Sequence, residues 1–213
     1  LLTFYNLLER DFAMNLFSVV ITATLLCSAY PAVDAGYMIS PDYALEIQDK
    51  GKIEQYYRLP GTYPVKSSII SKNNPDYGNY KYKVWYPAVL EERERTWPLV
   101  IMLNGTGGSC DNDEPLYEHL ASWGFIVLGN TDSQTGLGYS AEYGLSQMKQ
   151  LSQTESSPFY QKVDEKHIGI VGYSQGGAGA YHALERNQND DYQTMVTVSA
   201  VTKGISQKLH LKS

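Results

Sequence analysis

Short apolar runs alternate with helix-like segments along the chain from residue 98 onward. The uninterrupted runs at 98–103 and 125–128 are typical of strands that are buried on both faces of a sheet. Between them, Leu116, Leu120 and Trp123 recur at helical spacing, and Gly124 follows as a stop signal. The same patterns predict strands at 65–70 and 79–87, a helix near 140–154, a strand beginning at His167, a helix after residue 174 and a strand at 194–198.

Strands that alternate with helices predict an α/β fold, with a mostly parallel, doubly wound sheet and helices on both faces. Right-handed crossovers between parallel strands place the loops that follow the strands along one edge of the sheet. Thr106, Asp132 and Ser174 each follow a predicted strand. We therefore expect these residues to share that edge.

Residues 172–177, Gly-Tyr-Ser-Gln-Gly-Gly, follow a β-branched run directly. G-x-S-x-G between a strand and a helix is the pattern of a serine nucleophile held on a strained turn. Gly172 and Gly176 leave room for that turn and for close packing against neighbouring backbone. The pattern predicts Ser174 as the nucleophile and the amide of Gln175 as an oxyanion donor. Taken alone, it also fits a plain strand–turn–helix with an exposed serine.

The strand at 98–103 ends in a glycine-rich loop, residues 104–108. An oxyanion hole takes its second donor from such a loop, and we expect that donor to be the amide of Thr106. Gly105 and Gly107 would supply backbone freedom around it. The alternatives are an ordinary glycine turn or a phosphate cradle, and the absence of a Lys-Ser/Thr pair after the glycines argues against the latter.

Small residues occupy positions 176–180, in the predicted helix after Ser174, and three of them are glycines. Glycine costs about 1 kcal/mol relative to alanine inside a helix. Three glycines therefore predict that this helix makes close contact with the sheet.

These motifs resemble those of the α/β-hydrolase family, and most nearly those of secreted bacterial serine esterases of the cutinase and dienelactone-hydrolase-like branches. Residues 82–87 resemble the family's second strand; Asn104 and Tyr173 stand where histidine is commoner. The likeness spans about residues 55–201 and implies the α/β-hydrolase fold. It also implies hydrolysis of a small-molecule or polymeric carboxylic ester, with neither a metal nor an organic cofactor. A peptidase, lipase or acyltransferase uses the same turn, so these activities stay open.

In this family an Asp or Glu and then a His follow the nucleophile along the chain. The histidines after Ser174 are His182, expected to point away from the serine on its helix, and His210, in a polar tail. Asp190 and Asp191 precede a predicted strand, so they fall at the wrong end of the sheet for catalysis. None of these residues is assigned as acid or base.

No counterpart of the family's last two strands follows residue 201. We therefore expect a chain that is incomplete at its C-terminus, from an active parent, and inactive or impaired as it stands. The alternative is a non-catalytic α/β-hydrolase-like fragment or a ligand-binding pseudoenzyme. His119 and His167 precede the serine and are expected to be structural, and Asp113, beside Asp111, is expected to cap a helix rather than bind a cation.

The chain has 213 residues and a formal net charge of −6. The length permits one sizeable domain, and the acidic balance argues against a nucleic-acid partner. The 18 tyrosines are expected mainly as half-buried packing residues, and otherwise as the lining of a cleft for aromatic or glycan groups.

The nearly charge-free apolar stretch at 16–29 is too short for a comfortable membrane span and is typical of a signal peptide. A buried N-terminal helix is the alternative. We therefore divide the chain into upstream and signal-peptide-like residues 1–35, a partial hydrolase domain at 36–201, and a polar tail at 202–213. Whether residues 1–13, which precede Met14, are translated as part of the protein is left open. Removal of the signal would give a secreted or cell-surface protein without a membrane span, and Cys110 would lose its only disulfide partner, Cys27.

Overall fold

The computed structural model describes residues 51–71, 80–187 and 190–201. The signal-peptide-like segment with Cys27, and the polar tail with His210, lie outside the described residues. The elements are helix α1 (Lys52–Arg58), strands β1 (Val65–Ser71), β2 (Tyr82–Pro87) and β3 (Trp97–Leu103), helix α2 (Glu114–Ser122), strand β4 (Ile126–Asn130), helix α3 (Tyr139–Gln153), strand β5 (Val163–Tyr173), helix α4 (Gln175–Arg186) and strand β6 (Thr194–Val198), with short 3-10 turns at Ala88–Glu91 and Thr135–Leu137.

The six strands form one mixed sheet in the order β1-β2-β4-β3-β5-β6. The strands β4, β3, β5 and β6 are parallel, whereas β1 and β2 pair antiparallel at one side. The predicted α/β fold with a mostly parallel sheet is therefore confirmed. The carboxyl ends of β3, β4 and β5 meet at one edge, where the amide of Gly107 donates to the carbonyl of Ser133 at 3.0 Å.

The sheet has an apolar core on each face. Helices α3 and α4 pack over β3 and β5 on one face, and α2 packs over β2 and β4 on the other. Alternate residues of β3 serve the two cores, since Leu99 and Ile101 belong to the first and Val100 and Met102 to the second. This double burial explains why β3 is apolar throughout.

The start of β5 and the cap of α2 differ from what the sequence predicts. Strand β5 begins at Val163, four residues before His167, and its pairing with β3 jumps from Asp164 to Ile168 across an irregularity. The bulged residues are polar and largely exposed, so an apolar pattern does not reveal them. Asp113 does occupy the N-cap position of α2, but its side chain makes no capping hydrogen bond, because its backbone is not in the extended conformation typical of caps.

Helix α4 approaches the sheet as closely as its glycines allow. A Cβ on Gly176 would lie 2.3 Å from the carbonyl oxygen of Leu103, and one on Gly177 would lie 2.5 Å from the Cβ of Ala200. Both separations are shorter than van der Waals contact. The close contact predicted from the small residues is therefore confirmed. None of the helices in the described ranges has the length and apolarity that a membrane span requires.

We expect Gly176→Ala to lower the free energy of unfolding by about 3 kcal/mol, measured by urea denaturation, because the new methyl group would collide with backbone. The helical preference of alanine, about 1 kcal/mol, would not offset this collision. Gly144→Ala is the matched control on α3. Its new methyl group would meet the end of the flexible Leu128 side chain at 2.6 Å, so we expect a loss of about 1 kcal/mol or less. Equal stability of Gly176→Ala and the wild type would contradict the packing described here.

The thiol of Cys110 is free and fully buried in the second core. Burial raises its pKa to about 12, so the thiolate forms far more readily in the unfolded chain. This group therefore favours unfolding increasingly as the pH rises above about 8.5, the ordinary thiol pKa.

In a Cys27→Ser variant, Cys110 is the sole cysteine of the chain. We expect its reaction with a thiol reagent at pH 8 to be at least about 100-fold slower in the native protein than in urea, because only opening of the core exposes the sulfur. Native and denatured rates of similar size would show that the core around Cys110 is not closed.

Candidate active site

Strand β5 passes into helix α4 through Ser174, whose backbone is strained. Its φ of 51° and ψ of −115° lie outside the conformations that non-glycine residues ordinarily adopt. Hydrogen bonds hold it from both sides: its amide donates to the carbonyl of Val198 at 2.8 Å, and its carbonyl accepts from the amides of Gly177 and Val201, both at 3.0 Å. Ser174 is half-buried. The predicted nucleophile elbow, residues 172–177, thus has the sharp, over-determined turn that such a motif requires.

The glycines on either side of Ser174 permit backbone to approach backbone. A Cβ on Gly172 would lie 2.1 Å from the carbonyl oxygen of Gly176. Larger residues at either position would push the first turn of α4 away from the end of the sheet. The two glycines therefore fix where the serine is held.

The predicted oxyanion loop, residues 104–108, follows β3. Gly107 has a φ of +75°, in the left-handed region that favours glycine. Gly105 does not share this conformation. Its role is close approach, because a Cβ there would lie 2.9 Å from the Tyr173 ring and 3.4 Å from the Cβ of Ser174. The loop therefore lies directly against the elbow.

Two backbone amides in these segments have no acceptor among the described residues. Within the described ranges, neither the amide of Thr106 nor that of Gln175 donates a hydrogen bond to a protein acceptor. Thr106 directly follows the glycine that touches the elbow, and Gln175 directly follows the serine. Unpaired amides next to a strained serine are the groups that an oxyanion hole needs.

Asn104 anchors the start of the oxyanion loop and was not recognised as a site residue from the sequence. Its side chain is buried, and its Nδ2 donates to the carbonyls of Asn130 at 2.8 Å and Asp132 at 3.0 Å. The hydroxyl of Tyr117 lies 3.4 Å from its Oδ1. An asparagine at the end of an apolar strand was the available signal, since a buried amide must find partners.

The described histidines lie away from Ser174. None of them is hydrogen-bonded to the serine, and burial lowers the pKa of His119. Their contacts are between Nε2 of His119 and the carbonyl of Tyr57 at 2.7 Å, between Nδ1 of His167 and the carboxylate of Asp164 at 2.9 Å, and between Nδ1 of His182 and the carboxylate of Glu185 at 3.5 Å. Asp190 and Asp191 precede β6, as predicted, and Asp191 pairs with Lys149 on α3. The described part of the chain thus supplies no acid–base pair at the elbow.

A cavity of about 250 Å³ opens beside the elbow. It lies between the start of α2 and the ends of β3, β5 and β6, and it is mainly apolar. Asp113 contributes a carboxylate to its lining. Its lining also includes the side chains of Leu103, Leu116, Tyr117, Tyr173 and Val198. No group of three or more potential metal ligands occurs among the residues that the structure describes.

Comparison with known proteins supports what the geometry indicates. A family model described as PET hydrolase-like matches residues 56–199, a range that contains both the oxyanion loop and the nucleophile elbow. Comparison with curated proteins found no match. The family match covers more than half of the chain and agrees with the α/β-hydrolase resemblance of its motifs. The chain therefore belongs to the PET hydrolase-like family, within the α/β-hydrolase superfamily.

Proposed function

We propose that this chain carries the nucleophilic half of a serine esterase site, with Ser174 forming an acyl-enzyme on a carboxylic ester. Family membership indicates ester hydrolysis in the coarser sense. The observation that carries the finer proposal is the strained backbone of Ser174, at φ 51° and ψ −115°, in a turn that contacts the loop of Thr106; the amides of Thr106 and Gln175 have no acceptor among the described residues. Export from the cell, proposed from the sequence, suits an enzyme that acts on a polymeric ester.

In the proposed reaction, the Oγ of Ser174 attacks the ester carbonyl carbon and the carbonyl oxygen becomes an oxyanion. The amides of Thr106 and Gln175 donate to that oxyanion, each stabilising it by about 3 kcal/mol. Collapse of the intermediate breaks the bond to the alcohol, which leaves with the proton that the Ser174 hydroxyl gave up. Water then attacks the acyl-enzyme carbonyl carbon; its oxygen and one hydrogen stay with the released acid, and its other proton goes to the Oγ of Ser174.

Proton transfer is the step for which the described residues provide no partner at Ser174. A general base contributes roughly 10²- to 10⁴-fold to the rate, and no described histidine contacts Ser174. We therefore propose that the chain as given reacts at Ser174 but turns over slowly. The rival proposal is a non-catalytic module that binds a ligand in the same cleft. The two differ in whether Ser174 becomes covalently modified.

We expect a fluorophosphonate probe to label the native chain at Ser174, and Ser174→Ala to abolish that labelling. Ser199→Ala is the matched control, because Ser199 is an exposed serine that also has a left-handed φ, of 49°, close to the elbow in sequence. Mass spectrometry of the labelled chain is the measurement. Labelling that survives Ser174→Ala would place the nucleophile elsewhere, and a native wild type that takes no label would favour the binding module.

Thr106→Pro tests the oxyanion donor, because proline lacks the amide hydrogen that we assign to the hole. We expect the labelling rate to fall roughly 10²- to 10³-fold, the usual effect of losing one donor. Thr106→Ala keeps the amide and is expected to stay within about threefold of wild type. Thermal denaturation of both variants checks that the fold is intact. A folded Thr106→Pro variant with the wild-type rate would remove Thr106 from the oxyanion hole.

A further inference from the structure

We infer that the loop after β4, residues 131–137, is a positioning element that sets the spacing between the two oxyanion donors, with Thr135 as its central residue. We call this segment the β4 loop. The effect on catalysis that we infer rests on the proposed function. The structural part of the inference is independent of that function, because it follows from the contacts of the β4 loop with the oxyanion loop on one side and with helix α4 on the other.

On the first side, the β4 loop holds the residues that flank Thr106. The hydroxyl of Thr135 donates to the carbonyl of Asn104 at 2.6 Å, and Thr135 is only 1% exposed. The carbonyl of Ser133 accepts from the amide of Gly107 at 3.0 Å, and the carbonyl of Asp132 accepts from Nδ2 of Asn104 at 3.0 Å. None of these hydrogen bonds involves Thr106 itself. Its amide is therefore positioned through Asn104, two residues before it, and through Gly107, the residue after it, while it has no acceptor of its own among the described residues.

On the second side, the β4 loop contacts the start of helix α4. The Oε1 of Gln134 accepts from Nε2 of Gln175 at 3.2 Å. The chain at Gly136 passes so close to the Gln175 side chain that a Cβ there would lie 2.7 Å from Cγ. A Cβ on Gly179 would lie 2.1 Å from the carbonyl oxygen of Thr135. The residue that carries the second donor is thus held by the same loop.

Thr135 is the one residue in this loop that joins the two sides directly. Its hydroxyl contacts the oxyanion loop and its carbonyl contacts α4. Because Thr135 is buried, no water can replace its hydroxyl if that group is removed, and the carbonyl of Asn104 then loses this donor. Catalytic groups must be held to within about half an ångström of productive geometry. A small shift of Asn104 relative to α4 would therefore weaken the hydrogen bonds to the oxyanion without preventing the probe from binding in the cleft.

Thr135→Val removes the hydroxyl and nearly preserves the side-chain shape, whereas Thr135→Ser keeps the hydroxyl. We expect Thr135→Val to lower the limiting rate of fluorophosphonate labelling at least about tenfold, with the probe's half-saturating concentration unchanged. Thr135→Ser should stay within about threefold of wild type. A merely structural role would instead lower the melting temperature of both variants without separating the two kinetic constants. A folded Thr135→Val variant with the wild-type rate, or equal slowing in both variants, would overturn the inference.

A second readout needs no chemistry at the serine. In ¹H–¹⁵N spectra, Thr135→Val should shift the amide signals of both Thr106 and Gln175, and Thr135→Ser should leave them near their wild-type positions. Unmoved signals in both variants would overturn the positioning role whatever the labelling shows. Moved signals in a protein that takes no label would support the positioning role and count against the proposed esterase function.

Discussion

The candidate site depends on one close approach, between the first turn of α4 and the carboxyl end of β3. Only the hydrogen atom of Gly176 separates the helix from the carbonyl oxygens of Leu103 and Asn104. Since the helix begins directly after Ser174, this contact fixes the height of the serine above the sheet. It also brings the oxyanion loop, which starts at Asn104, against the same turn. The strained backbone of the serine is the conformational consequence, and the packing of α4 over β3 and β5 sustains it.

Much of this arrangement can be predicted from local patterns in the sequence. The apolar runs at 98–103 and 125–128 predict β3 and β4 because both strands are covered on two faces, so neither shows a polar alternation. Strand–helix alternation then predicts the common edge, since parallel strands point their carboxyl ends the same way. The start of β5 cannot be predicted in this way. Its polar residues at 164–166 are held extended by pairing with β3 on either side of an irregularity, and not by burial of their own side chains.

The candidate site likewise has parts that the sequence predicts and parts that it does not. The elbow and the oxyanion loop are recognisable because glycine spacing around a serine, and glycines after a buried strand, are constraints within one short segment. The contacts of Thr135 and Gln134 span 31 and 41 residues and depend on how two loops meet. No local pattern encodes them. Gly105 is an intermediate case: the sequence indicates that glycine matters there, but the reason, contact with the Tyr173 ring, is visible only in three dimensions.

The hydrogen bond from the Ser174 amide to the Val198 carbonyl has a mechanical consequence. It makes β6, the last strand in the order of the described sheet, a support for the serine's unusual backbone. Fraying of β6 would remove one of the backbone hydrogen bonds that hold Ser174 while the remaining strands stayed paired, and would leave the packing of α4 to hold the serine. Whatever stabilises or loosens β6 therefore acts on the backbone of Ser174 from the side of the sheet, without entering the cavity.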